Sequence, residues 1–366
     1  MEMSFNSKGE ICMAEKIKIG VIGNGNISGV HLRAYSLNPN VEIYALCDIN
    51  EKAMKRRAEE YGVTRLFTDV NEMVKLPELD AVSVCTWNAA HAECAIAALN
   101  AGKHVLCEKP MAMNADEARR MQEAAEKNGK LLMIGFVRRF GNDCAILKDF
   151  IDNGYFGDIY YAKATYLRRK GCPGGWFGDK ARSGGGPLID LGVHIIDLCR
   201  YLMGGHQPVS VYGATFNKLG DRHEIKGDVD YKSDSRSGHD IFNVEDLASA
   251  MIRFDNGAVL QIEASFSLNI EKDKGTIELF GTKAGAKLDP ELTIYSEMNG
   301  YMTDVNLAIP TALSFEGLFE NEVNHYVDCV RTGCECRNPA KDGVTLMKIL
   351  DGIYESARTG HEVIIK

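Results

Sequence analysis

The chain has 366 residues, 45% of them hydrophobic and 25% charged, with a formal net charge of −9. That length predicts two domains with a sizeable core in each, and the acidic balance argues against nucleic acid or an anionic membrane surface as a partner. No apolar run reaches the length of a membrane span, and residues 1–14 read as a flexible tail without an export signal, so the expected location is cytoplasmic.

From residue 15 onward, short apolar runs alternate with helical patterns. Strands are expected at 16–22, 41–47, 81–85, 104–107 and 131–134, with a weakly marked one at 66–67. Helices are expected at 27–37, 51–61, 89–101 and 115–128. Near-continuous apolar strands separated by amphipathic helices predict an α/β fold whose N-terminal domain, over 15–137, is a doubly wound parallel sheet of Rossmann type. The first strand runs into Gly23-Asn24-Gly25-Asn26-Ile27-Ser28. The first glycine allows a tight strand-to-helix turn, and the second lets a pyrophosphate approach the backbone at a helix N-terminus. Ser28 is small enough for the third position. Asp48 ends the second strand, where a carboxylate can accept from ribose hydroxyls and repel a 2′-phosphate, which favours NAD over NADP. Capping of the next helix is the alternative role for it. Thr86-Trp87-Asn88 follows the next long strand, at a carboxyl end that lines the ligand crevice of such sheets. His91 lies one turn later, where a helix-surface histidine is the plainer reading.

Cys107-Glu108-Lys109-Pro110 closes the fifth strand, and a lysine there points into the crevice, able to donate to a substrate oxygen. After residue 138 the pattern changes. A helix at 144–153, a strand at 159–167, a helix at 187–203 and strands at 208–216, 246–254, 258–268 and 275–281 predict a C-terminal α/β domain with a large open, mostly antiparallel sheet. Residues 217–243 read as a polar excursion, and a last helix at 343–357 precedes a short strand-like end. The 187–203 helix is apolar nearly all round, and so buried. Its exceptions, Asp190, His194 and Asp197, share one stripe at i, i+4, i+7. Buried carboxylates beside a histidine are costly unless paired or used. His194 suits a general base for an alcohol proton, Asp190 can orient its imidazole, and Lys109 can bind the reacting oxygen. A structural Asp–His pair is the alternative.

The eleven cysteines, among them Cys47, Cys85, Cys107 and Cys199, are scattered through apolar segments and read as reduced, buried thiols. Cys334 and Cys336 with Cys329 nearby form the one cluster. They lack a second pair or a histidine at finger spacing, so the sequence assigns no metal.

With these motifs in place the chain resembles the glucose–fructose oxidoreductase / inositol dehydrogenase (Gfo/Idh/MocA) family over nearly its whole length. The resemblance rests on the glycine turn, Asn88 to His91, the Glu108-Lys109-Pro110 triplet, Arg138-Arg139-Phe140 and the segment 185–197. It implies an NAD-dependent dehydrogenase acting on a secondary alcohol of a sugar, glycoside or cyclitol. It also implies assembly as a homodimer or homotetramer through the open sheet face, with the last helix packing back on the first domain. Lys109, Asp190 and His194 carry the catalytic roles. Asn26, Ile27, Asp48, Thr86, Asn88, His91 and Glu108 are implied as cofactor contacts. Trp87 stands where the family often has proline and is a candidate to stack on the cofactor. Arg168, Trp176 and His325 lie in segments that line family active sites and are candidate substrate contacts. A redox-assisted NAD-dependent glycosidase and a non-catalytic NAD-dependent regulator are the rival readings on the same fold.

Overall fold

Ile17–Ile22 (β1) has no polar side chain beyond Lys18, and Ile19 and Val21 are fully buried, as a central parallel strand requires. Around it in the computed structural model lie Asn26–Leu37 (α1), Val41–Cys47 (β2), Glu51–Tyr61 (α2), Leu66–Phe67 (β3), Ala81–Val84 (β4), Asn88–Asn100 (α3), His104–Glu108 (β5), Ala115–Asn128 (α4) and Leu132–Gly135 (β6). The structure describes residues 4–5, 11–12 and 15–366 except 228, 230, 238 and 313. The tail read at 1–14 falls mostly outside these residues; Ser4–Phe5 and Ile11–Cys12 within it pair antiparallel.

The six strands pair in parallel in the order β3-β2-β1-β4-β5-β6. The order reverses beside β1, so a crevice opens at the carboxyl ends of β1 and β4. Local signals support the helices. Asn114 accepts from the Glu117 N–H to cap α4, whose first turn carries Asp116 and Glu117 and whose last carries Lys127, matching the helix dipole.

A second sheet follows Asn142–Asp152 (α5). Ile159–Leu167 (β7) is its middle strand, and Val193–Leu202 (α6) packs beneath it. The other strands are Pro208–Phe216 (β8), Leu247–Phe254 (β9), Val259–Ser265 (β10), Lys274–Gly281 (β11), Ala284–Leu288 (β12), Thr293–Met298 (β13), Tyr301–Val305 (β14) and Val363–Ile364 (β15). Their order is β14-β13-β12-β11-β7-β10-β9-β8-β15, antiparallel except for β7 with β10. Burial alternates along β9, so one face covers the core and the other is open. On the open face Tyr212 is paired in register with Met251, and both are exposed.

Two helices close the chain. Phe315–Thr332 (α7), which the sequence reading passed over, buries Val323, Tyr326 and Val327 in one cluster with Leu32 and Tyr35 of α1. Ala340–Thr359 (α8) lies between β8 and α4, with Leu346, Ile349, Leu350 and Ile353 buried. Buried Arg139, just past β6, holds these parts together. It bonds Asp197 of α6 at 2.6 Å and Asp342 of α8 at 2.9 Å, and Asp342 in turn accepts from Arg200.

Candidate active site

Beyond β1 the chain turns at Gly23 with φ 85, and a Cβ there would lie 2.6 Å from the Cys85 carbonyl carbon. Only glycine fits. Gly25 caps α1 without a side-chain bond, and a Cβ on it would meet nothing within 4 Å. The uncapped first turn of α1 beside that open space suits a pyrophosphate. Ser28 is buried and donates its hydroxyl to the Gly25 carbonyl at 2.7 Å, so it braces the turn. The Asp48 carboxylate accepts the Asn24 N–H at 2.5 Å and the Asn50 N–H at 2.7 Å. The cap of α2 falls to Asn50, whose side chain accepts from Ala53. Asp48 instead faces a cavity of about 480 Å³ that it shares with Gly23, Gly25, Asn26, Ile27, Thr86 and Trp87. Open space at Gly25, a bare helix N-terminus and a carboxylate at the end of β2 together fit a dinucleotide without a 2′-phosphate.

Ile27, Thr86, Trp176 and Tyr231 also line a second cavity of about 790 Å³, so the two adjoin. Lys109, Asp190 and His194 all face the second cavity, with Asn88, Glu108 and Arg168. Lys109 Nζ donates to Asp190 Oδ1 at 2.8 Å and to its carbonyl at 3.1 Å. The expected Asp190–His194 pairing is therefore corrected: the carboxylate holds the lysine. The reason lies in the backbone, where Leu188–Gly192 is a π-turn rather than α-helix. Its wider winding breaks the i, i+4, i+7 stripe, and Asp197 points away to Arg139. The His194 imidazole has no hydrogen-bond partner among the described residues. Burial, then the positive charges of Lys109 and Arg138, depress its pKa well below 6.5. It is a neutral base at pH 7.

Glu108 is buried against His31, with Oε1 2.8 Å from Nε2, and its other oxygen accepts the Lys109 N–H at 3.1 Å. Burial disfavours charge on His31, yet Cys85 and Glu108 beside it hold its pKa up at about 10. This buried pair steadies the tip of β5, from which Lys109 projects. His31 escaped sequence reasoning because a histidine in a helix with no acidic neighbour carries no signal; Glu108 meets it only through the fold.

Three implied contacts need restating. His91 is buried, not on the helix surface, and lines neither cavity. Its Nδ1 lies 2.7 Å from the Pro110 carbonyl and Nε2 3.1 Å from that of Thr86, so it braces the two loops that carry Lys109 and Thr86. Asn88 is also buried and donates to the Ser183 carbonyl at 2.7 Å, tying α3 to the loop before the π-turn. His325 is not brought to the site: it sits on the far side of α7, against Phe140 and Cys329. Trp87 lies on the dinucleotide cavity under the Arg182 guanidinium, 5.3 Å from the ring centroid. Trp176 stacks on Phe177 with centroids 3.9 Å apart and reaches both cavities, while Arg168 is anchored through its N–H to Ser265.

The 217–243 excursion contributes a wall that its composition did not reveal. Tyr231, Ser233, Asp234 and Ser235 line the dinucleotide cavity. Asn26 donates to the Lys232 carbonyl at 2.8 Å, and Arg56 of α2 meets Asp234 at 3.5 Å, so this segment bridges the mouth of the crevice.

Comparison with known proteins adds the following. Residues 17–136 match the Gfo/Idh/MocA pattern described as an oxidoreductase family with an NAD-binding Rossmann fold, and residues 145–287 match the Gfo/Idh/MocA C-terminal domain. A D-glucoside 3-dehydrogenase of Escherichia coli is 34% identical over 352 residues, covering 95% of this chain and 97% of that protein. A myo-inositol 2-dehydrogenase of Thermotoga maritima is 32% identical over 73% of each chain. Among solved structures, a levoglucosan dehydrogenase in complex with NADH superposes with a TM-score of 0.83 at 25% identity, covering 96% of this chain and 100% of that one.

Proposed function

The chain belongs to the Gfo/Idh/MocA oxidoreductase family, and from that premise we propose that it oxidises a secondary hydroxyl of a sugar, glycoside or cyclitol to a ketone with NAD as acceptor. The observation that carries the reading is the meeting of Lys109, Asp190 and His194 on one cavity that adjoins the cavity at the glycine turn. NAD bound at the glycine turn and Asp48 supplies a two-electron acceptor for the carbinol hydrogen. The chain's own groups do the rest. Neutral His194 takes the hydroxyl proton on a ring nitrogen, and Lys109 donates to the same oxygen as negative charge grows on it. Asp190 holds the ammonium in place and balances its charge. Trp176 and Tyr231 cover the site where the cavities join and limit water there.

The glycine turn and its sheet form a dinucleotide-binding domain over 15–137, and residues 138–366 form the substrate domain. The exposed Tyr212 and Met251 on the open face of the second sheet support self-association there into a homodimer or homotetramer. No described helix is long and apolar enough to cross a membrane. Ten cysteines among the described residues form no disulfide, and most are buried, which supports the cytoplasmic reading.

A panel of inositols, free aldoses and glycosides, offered with NAD and followed by NADH absorbance, tests the proposal. Growth of the NADH signal with a polyol or glycoside is the expected result. Release of an aglycone with no net NADH would replace the dehydrogenase reading with a redox-assisted glycosidase.

A further inference from the structure

The last turns of α7 place His325 and Cys329 four residues apart on one face. The helix ends at Gly333, in the left-handed region at φ 70, and the chain doubles back. That reversal brings Cys334 Sγ to 3.3 Å from Cys329 Sγ, while Cys329 Sγ lies 3.4 Å from His325 Nε2. The nitrogen and the two sulfurs all lie within 4.8 Å of one another. Cys336, half-buried two residues further along the same loop, lines a cavity with His325 beside this cluster. We propose that His325, Cys329 and Cys334 bind a divalent, thiol-seeking cation, zinc foremost, and that Cys336 swings in as the fourth ligand of a tetrahedral site that pins the loop between α7 and α8.

Tetrahedral zinc with bonds of about 2.3 Å to sulfur and 2.0 Å to nitrogen separates its ligand atoms by roughly 3.5–3.8 Å. The 3.3 Å and 3.4 Å separations fall a few tenths of an ångström short, so an ion enters by a small outward turn of the side chains. The cluster also sits at the C-terminal end of an 18-residue helix, where the backbone dipole favours a cation. Arg337 stacks on Phe140, the ring that also packs on His325, and its guanidinium offsets the negative charge of three thiolates around one dication. Access is open: Cys334 is exposed, and a cavity lined by His325, Glu335, Cys336 and Arg337 lies alongside. One bond must be exchanged. The Arg337 N–H now donates to His325 Nε2 at 3.0 Å and would pass to a thiolate sulfur once the nitrogen is ligated.

The site lies outside both cavities of the catalytic crevice. Its reach is structural. Asn338, two residues past Cys336, bonds Ile134 of β6 through its carbonyl and its side chain, and Arg139 donates to the Arg337 carbonyl at 2.7 Å. A metal here would fasten the end of α7 to the parallel sheet and to the Arg139 ion-pair network.

The test uses the full chain purified with a thiol reductant. Zinc content is measured by mass spectrometry of the elements, and cobalt is then substituted. The expected result is one zinc per chain, with the intense visible bands of thiolate-bound tetrahedral cobalt. Cys334→Ser changes an exposed side chain and so spares the core; it should weaken zinc by roughly a hundredfold or more, since even an outer-shell change typically costs 10–100-fold. A Cys334→Ser Cys336→Ser chain should hold no stoichiometric zinc, yet keep its NADH-forming rate at room temperature. A chelator should lower the melting temperature of the parent chain and leave that of the double variant unmoved. A reduced parent chain that retains no zinc and gives no cobalt bands overturns the proposal, as does equal zinc in parent and double variant.

Discussion

His194 faces two cations, Lys109 and Arg138, and it is burial together with their charge that keeps its imidazole neutral. Because its folded pKa lies well below 6.5, a rate that needs the neutral base should be flat above pH 6.5 and fall only as pH drops toward that lower value. Lys109→Met removes one of the repelling charges. The acid limb of kcat/KM should therefore move to higher pH while the rate itself falls, and a limb that stays put would speak against this coupling. His194→Ala should lower NADH formation by about 10²–10⁴-fold, with NADH binding followed by fluorescence unchanged. At the other cavity, Asp48→Ala should narrow the preference for NAD over NADP. The expected change is about 10–100-fold in the ratio of kcat/KM values, the worth of a charge-assisted hydrogen bond of about 1.5–3 kcal/mol. Lys109, Asp190, His194 and Asp48 were legible in the sequence because each breaks an apolar pattern at a strand end or in a buried helix. Their pairing was not legible. Whether Asp190 meets His194 or Lys109 depends on one extra residue in a turn, and no spacing rule reveals that.

The first sheet could be read strand by strand, since β1, β2, β4, β5 and β6 are short apolar runs with helices between them. The second half was harder for two physical reasons. Tyr301–Val305 is a short edge strand with mostly exposed side chains, and Thr293–Met298 beside it buries only Ile294 and Ser296, so their burial pattern is faint. Helix α7 mixes buried Phe319, Val323 and Val327 with Glu322, Asn324 and Asp328, and its Glu322 is buried as well, which blurs the stripe. Burial, with Glu108 and Asp197 nearby, raises the Glu322 pKa well above the usual carboxylate value, which favours the uncharged form inside. Just past the first sheet, one ion-pair knot, Arg139 with Asp197 and Asp342, ties the start of the second half to α6 and α8. Arg139→Met leaves Asp197 as an unpaired buried charge and should cost about 3–5 kcal/mol of stability. Denaturant unfolding monitored by circular dichroism checks this, and a loss below roughly 1 kcal/mol would show that the knot is dispensable.

At the scale of the molecule, the open face of the nine-stranded sheet carries exposed Tyr212 and Met251 side by side. Met251→Glu should shift the sedimentation of the protein toward the monomer without lowering its helix content; an unchanged sedimentation coefficient would move any self-contact elsewhere. The bridge formed by residues 231–235 has a consequence for timing. Asn26 and Arg56 fasten that segment from the dinucleotide side, so a nucleotide seated below it leaves only when both tethers let go. Departure of the spent nucleotide, rather than bond-breaking at carbon, would then pace each cycle. In a stopped-flow chase the escape of NADH should match the steady-state turnover rate, and Asn26→Ala should quicken both together.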